Sequence, residues 1–253
     1  MWVAVDDWQD DWWAQMAALL EDMPNVVRAS RHARTAPLTL SAAGQERHAF
    51  FKLYRSSRWT ARLKDLFRIS RARRALEMSY LLAQAGFGAP LVLAAGEERR
   101  RDIGRRGFLL TAAVAGVGLH EVPAALSGCD ASERRRLKRS LLAAVGAEVG
   151  RFHALGYLHG DLVVTNVMVR WQPYVQVWFL DHDRTRQIGV ALRRWRQRRN
   201  LVHLNRHRVR GVNHADRLRL LCSYARTRGW TRARLRQEAR WIARKTMKVR
   251  SKE

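Results

Sequence analysis

The stretch from Phe152 to Arg184 constrains this chain more than any other part of it. It reads Phe152-His-Ala-Leu-Gly-Tyr-Leu-His-Gly-Asp-Leu-Val-Val-Thr-Asn166 and, after a short gap, Val175-Gln-Val-Trp-Phe-Leu-Asp-His-Asp-Arg184. Upstream, Leu137, Leu141, Val145, Val149 and Phe152 recur at helical spacing. Asp130 with Glu133 three residues later gives that helix a capping-box start, and Gly156 ends it. Val167 to Val169 and Val175 to Leu180 then read as a strand pair across Gln172-Pro173. A long helix, a polar loop and a strand pair ending in an acid require an α+β chain with segregated sheet and helices.

That frame sets Asp161 and Asn166 five apart in a loop and Asp181 at a strand end. Phosphoryl transfer needs a carboxylate near the acceptor hydroxyl and oxygen ligands for Mg²⁺ on the nucleotide phosphates. Any one of the three alone would ordinarily be a loop-capping residue. Together, in this order, they point to a site.

The pattern resembles the protein-kinase-like superfamily, whose catalytic loop carries His-Arg-Asp and then an Asn five residues on. His159-Gly160-Asp161 is similar to its small-molecule branch, the aminoglycoside and sugar phosphotransferases. The Asp181-His-Asp-Arg184 ending and the arginine-rich helices after it resemble the lipopolysaccharide kinases, which phosphorylate 3-deoxy-manno-octulosonic acid (Kdo) or heptose in the lipopolysaccharide inner core. The resemblance spans about Val26 to Trp230, and its specific part is 152–184. It implies a protein-kinase-like bilobal fold with a small β-rich N-lobe (residues 1–113) and a helical C-lobe (114–253), using ATP and Mg²⁺. It also implies Asp161 as catalytic base, with Asn166 and Asp181 binding metal. His159 reads as a structural partner of the loop backbone, and His153 and His182 as core or loop histidines.

Such an N-lobe should offer a lysine to the nucleotide phosphates from its third strand. An acidic helix is expected over Asp7 to Glu21, with Trp8, Trp12, Met16 and Leu19 on one face. Its charge suggests docking on the basic tail of its own or another chain. Pro37 to Ser41 and Glu46 to Tyr54 read as a hairpin around Gly44. Lys52 stands in the second arm on the face of Phe50 and Tyr54. A lone strand lysine is usually a solvated edge charge, so its place in the motif order is what singles it out. A basic helix from Thr60 to Ala85 follows, then short strands near Leu91 to Ala95 and Gly107 to Ala112, and a small-residue connector over Val114 to Gly118. In the helix Glu77 is the candidate to orient Lys52, with an ordinary salt bridge to Arg73 or Arg74 as the competing reading.

Three departures stand out. No glycine occurs between Met1 and Ala43, so the turn over Ser30 to Thr35, with Arg31 or Arg34, must cover the phosphates. Phe50 replaces the small residue expected two before the lysine, and His182-Asp183-Arg184 replaces Phe-Gly with no Ala-Pro-Glu downstream. The last of these weakens a protein-kinase reading.

The net charge is +26, and the residues from Arg184 onward hold 23 Lys or Arg against only Asp216, Glu238 and Glu253. Such a tail seeks polyanions. The lipopolysaccharide reading assigns it lipid A phosphates, Kdo carboxylates and the anionic inner leaflet of the cytoplasmic membrane. A nucleic-acid-associated relative of the kinases of transfer-RNA modification, an atypical protein kinase and a pseudokinase scaffold are the alternatives. No base-stacking aromatic platform is visible, so nucleic acid is the weaker partner. Residues 1–25 lack a basic n-region, and the longest apolar stretch, Phe108 to Leu119, falls short of the roughly twenty residues a spanning helix needs. Cys129 and Cys222 read as reduced thiols. The expectation is therefore a cytoplasmic protein, peripheral on the inner face of the membrane.

Overall fold

The computed structural model describes residues 2–3, 8, 10–30, 33–42, 45–55, 69–100, 104–189 and 193–251. The chain divides into two compact units, Met1–Leu82 with Pro90–Val114, and Ala83–Ala89 with Ala115–Glu253. Ala83–Ala89 joins the second because Phe87 sits among Phe152, Tyr157 and Phe179, with ring centroids at 5.2, 5.9 and 6.5 Å. Arg151 completes the attachment, donating to the carbonyls of Ala85 and Gly86 at 3.0 and 2.6 Å.

The first unit contains β1 (Trp2–Val3), α1 (Asp10–Glu21), β2 (Arg28–Ala29), β3 (Ala33–Ala42), β4 (Gln45–Arg55), most of α2 (Arg71–Gln84), β5 (Val92–Arg100) and β6 (Gly104–Ala112). Its strands form one antiparallel sheet in the order β1-β5-β6-β4-β3-β2. Alternation along β4 gives the sheet two different faces. Ala49, Phe51 and Leu53 point into a core closed by Trp12, Met16 and Leu19 of α1, together with Met23. Each large apolar side chain buried there contributes about 1.5–3 kcal/mol, an upper estimate because the unfolded chain is already partly collapsed. Gln15 ties the helix down by bonding both the N–H and the C=O of Ser41, at 3.1 and 2.8 Å. The apolar side of the acidic helix is thus spent on its own sheet, and Asp11 and Asp22 stay at the surface. On the opposite face Tyr54, Val92, Ala95 and Leu109 pack against Ala72, Ala75 and Leu76 of α2.

The strands β5 and β6 outrun their apolar pattern. Arg99 pairs with Arg105 and Arg100 with Gly104, so the ladder continues where side chains are charged and no periodicity marks it. Helix α2 begins behind Ser70, whose Oγ accepts from the Arg73 N–H at 3.1 Å. The expected start at Thr60, the turn at Gly44, Arg31 and Asp7 lie outside the described residues.

The second unit contains β7 (Val117–Gly118), α3 (Val122–Ala125), α4 (Ala131–Ala154), β8 (Tyr157–Leu158), β9 (Val167–Arg170), β10 (Gln176–Phe179), β11 (Arg186–Gln187), α5 (Arg193–Arg206), α6 (His214–Thr227) and α7 (Arg232–Arg250). Asp130 caps α4 by accepting from the N–H groups of Ser132 and Glu133. A complete capping box joins Asn213 and Asp216 at the start of α6. The end of the expected connector is in fact β7, which pairs with β9; two residues are too few for a periodic signal. Helices α4 and α6 meet at glycines: a Cβ on Gly146 would lie 2.2 Å from the Leu220 carbonyl, and one on Gly150 2.9 Å from Thr227 Cβ. That close approach lets Ser223 Oγ donate to the Ala143 carbonyl at 2.6 Å.

Candidate active site

The loop after α4 and β8 is built on hydrogen bonds that close within a few residues. The Asp161 carbonyl accepts from the Val163 N–H at 3.0 Å and from Asn166 Nδ2 at 2.9 Å. The Asn166 carbonyl accepts from the Leu180 N–H at 2.9 Å, so the end of β10 is fastened to the loop one residue before Asp181. His159 makes a second tie. Its Nδ1 accepts from the Asp161 N–H at 3.1 Å, which leaves the proton on Nε2 to donate to the Leu180 carbonyl at 2.7 Å. Asp161, Asn166 and Asp181 are therefore brought together. Asn166 is fully buried, while Asp161 and Asp181 are half-buried.

Two backbone features explain the residue types. Asp181 sits in the left-handed region, at φ 66 and ψ 68. For most side chains that costs on the order of 1 kcal/mol or more, and Asp and Asn tolerate it best. A Cβ on Gly160 would lie 2.1 Å from Arg184 Cβ and 2.6 Å from the Arg184 carbonyl. Only glycine allows the loop to rest on the His182–Arg184 turn, which accounts for Gly where protein kinases carry Arg. His182 Nε2 donates to the Phe179 carbonyl at 2.7 Å and is buried, in keeping with a loop-packing role.

Helix α5 supplies residues that the sequence reading missed. Asn200 bonds the His159 backbone, Gln197 Nε2 donates to the His153 carbonyl at 2.9 Å, and both are buried. The available signal was their neutrality: in an arginine-rich helix, Gln197 and Asn200 share the face of Leu201 and Leu204. His153 is fully buried, and burial pushes its pKa down to about 4 despite the opposing bond from Asn200. Burial also lowers His203, with Arg206 adding to the effect and the Asp161 charge opposing it.

Lys52 and Glu77 belong to the first unit. Lys52 pairs in register with Thr35 and Leu109, is half-buried, and holds its Nζ 5.0 Å from the centre of the Tyr54 ring. Phe50 on the same face is 39% exposed, an open aromatic surface beside the lysine. Glu77 accepts from Arg73 Nε at 2.8 Å, and the two side chains are 45% and 52% exposed.

The basic tail forms α5, α6 and α7. Glu238 is buried and accepts from Arg194 and Arg198, while buried Asp216 holds Lys138 and Arg219. The outward side of α7 carries Arg232, Arg236, Arg240, Arg244 and Lys248, all exposed, and the buried Glu238, Ile242 and Thr246 define its inward side. Both cysteines are free. No helix among the described residues is long and apolar enough to cross a membrane.

Residues 12–224 match the family model described as lipopolysaccharide kinase (Kdo/WaaP) family. Among solved structures the chain is similar to WaaP in complex with acyl carrier protein, at 22% identity over 92% of each chain and a TM-score of 0.65. That likeness shows the fold: a mixed chain of sheet and helices with its main sheet in the N-terminal half and its helices in the C-terminal half. A search of curated proteins gives no match.

Proposed function

The chain belongs to the lipopolysaccharide kinase (Kdo/WaaP) family, and from that premise we propose how its residues divide the transfer of a phosphoryl group from ATP to a core sugar. It is a kinase that phosphorylates lipopolysaccharide core sugars. In our reading Asp161 orients the sugar hydroxyl and takes its proton as the oxygen attacks the γ-phosphate. The observation that carries this is the double fastening of Asp161, through Asn166 on one side and His159 on the other.

The donor set fits Mg²⁺. A carboxylate and an amide offer hard oxygens, and a nucleotide-borne Mg²⁺ draws its remaining ligands from phosphate and water. Asn166 and Asp181 would hold the ion, which when bound supplies charge neutralisation on the phosphates. Asn166 commits its Nδ2 to the Asp161 carbonyl, which turns its Oδ1 to the other side. Lys52 meets the α- and β-phosphates, and Phe50 offers a flat apolar surface for the adenine. Glu77 orients Lys52 in the nucleotide-bound state; α2 packs on the Lys52 face of the sheet, but Glu77 must first release Arg73.

We place the protein in the cytoplasm, on the inner leaflet, seated by the outward side of α7. The two described acids of the basic tail are buried and already paired, so the five cations on the outward side of α7 face solvent with no acid among them. Each basic residue at an anionic surface is worth about 1 kcal/mol.

The test is parallel transfer of label from ATP to Kdo–lipid A, to heptosylated core and to transfer RNA. Label in a core lipid and not in RNA is the expected result; label confined to RNA or to protein overturns the acceptor assignment. In cell fractions the protein should sediment with membranes at low salt and leave them at high salt.

A further inference from the structure

A chain of buried, hydrogen-bonded polar groups in the second unit ends on the active loop, and its hub is Asn200. Asn200, on α5, is bonded on both sides by a single residue of the loop. The His159 N–H donates to Asn200 Oδ1 at 3.1 Å, and Asn200 Nδ2 donates to the His159 carbonyl at 2.8 Å. One backbone donor and one backbone acceptor fix the orientation of the carboxamide, since a flipped amide would set N–H against N–H.

Asn200 is itself held from behind. His153 Nε2 lies 3.2 Å from Asn200 Oδ1, which can only accept, so the proton is on Nε2. His153 Nδ1 is then a lone pair that accepts from the Tyr224 hydroxyl at 3.0 Å. The run Tyr224, His153, Asn200, His159 thus passes from α6 through α4 and α5 to the loop, and each member is buried. One step further, His159 Nδ1 takes the Asp161 N–H.

We propose that Asn200 is the positioning residue that sets the conformation of the His159–Asp161 segment, and through it the place of the Asp161 carboxylate. The proposal rests on the reading of Asp161 as the group that orients the hydroxyl. Asn carries a donor and an acceptor on one short carboxamide, and Gln carries the same pair one methylene further out. Asp offers acceptors alone and would set a carboxylate oxygen against the His159 carbonyl, while Ala leaves both backbone groups of His159 buried without a partner. Asn200 touches neither reactant and acts only through the loop.

The experiment is a double-mutant cycle of N200A and D161N, reading kcat and KM for ATP in transfer of label to core lipid, with N200D as the partial replacement. N200A is expected to lower kcat by about 10²-fold with KM for ATP changed less than about threefold, since a misplacement of about 1 Å has that effect. N200D keeps the acceptor for the His159 N–H and should recover about half of that loss on a logarithmic scale. In the D161N background N200A should add less than about twofold, because the group it positions is gone. A kcat for N200A within twofold of wild type, or the same fold-loss in both backgrounds, overturns the positioning role. Should N200A fail to fold, N200D decides: a kcat about tenfold down at unchanged KM supports the proposal, and an unchanged kcat overturns it. If D161N alone retains full kcat, the Asp161 reading fails, an outcome separate from any result at Asn200.

Discussion

In the second unit the backbone around Asp161, Asn166 and Asp181 is held by hydrogen bonds that close within the loop, whereas in the first Lys52 and Glu77 stand on regular elements at the ends of long side chains. The contrast fits the roles proposed for these groups. In the proposed division of roles a base and metal ligands define the line of transfer, where an error of about 1 Å costs about 10²-fold. A lysine serves the phosphates as a mobile point charge and tolerates slack. On that reading rigidity is concentrated where direction matters.

Four substitutions or conditions can sharpen that contrast or break it. The largest effect is expected at Asp181. D181N should lower kcat/KM for Mg-ATP on the order of 10²-fold or more by removing the charge of the proposed metal ligand. Its thermal midpoint should stay within about 2 °C, because Asn accepts the left-handed backbone. A large drop in midpoint would mean that the carboxylate is structural.

The second is the pH response of His153. Its folded-state pKa is depressed to about 4, so between the ordinary value of 6.5 and 4 the unfolded chain takes up a proton that the folded chain refuses. The stabilisation is complete above 6.5 and is lost as pH falls toward 4, by up to about 3 kcal/mol. Urea unfolding at pH 7 and pH 4.5 should show a larger loss in wild type than in H153Q, and equal losses would remove the buried neutral ring from the account.

The third is G160A, which must push the loop off Arg184 and should destabilise the fold by about 1–3 kcal/mol while lowering turnover. Wild-type stability and activity would show that the loop has slack. The smallest effect is expected at Glu77. With Arg73 as its partner on an exposed helix face, E77Q should change stability by less than about 0.5 kcal/mol and turnover by less than about tenfold. A loss above tenfold would give the first unit a fixed lysine–glutamate pair and erase the contrast.

The sequence disclosed the loop because its parts are close in the chain: Asp161, Asn166 and Asp181 fall within about twenty residues, between a periodic helix and an apolar strand. The face that Lys52 occupies was legible from alternation along β4. Asn200 was not, since it meets His159 across 41 positions and lies among arginines whose charge masks an inward side. The stripe of Trp12, Met16 and Leu19 announced a helix but not its seat, because an apolar stripe names no partner. Glu77 had its competitor Arg73 one turn away, and sequence spacing cannot rank a local salt bridge against a distant lysine.

The central claim is that Asp161 acts on the sugar hydroxyl within a loop assembled before substrate arrives. The most direct measurement is single-turnover transfer of label from ATP to a core lipid by wild type and D161N, with ATP affinity determined on the same preparations. The account predicts unchanged ATP affinity and transfer slowed by about 10²–10⁴-fold in D161N. Transfer at the wild-type rate by that variant would contradict it.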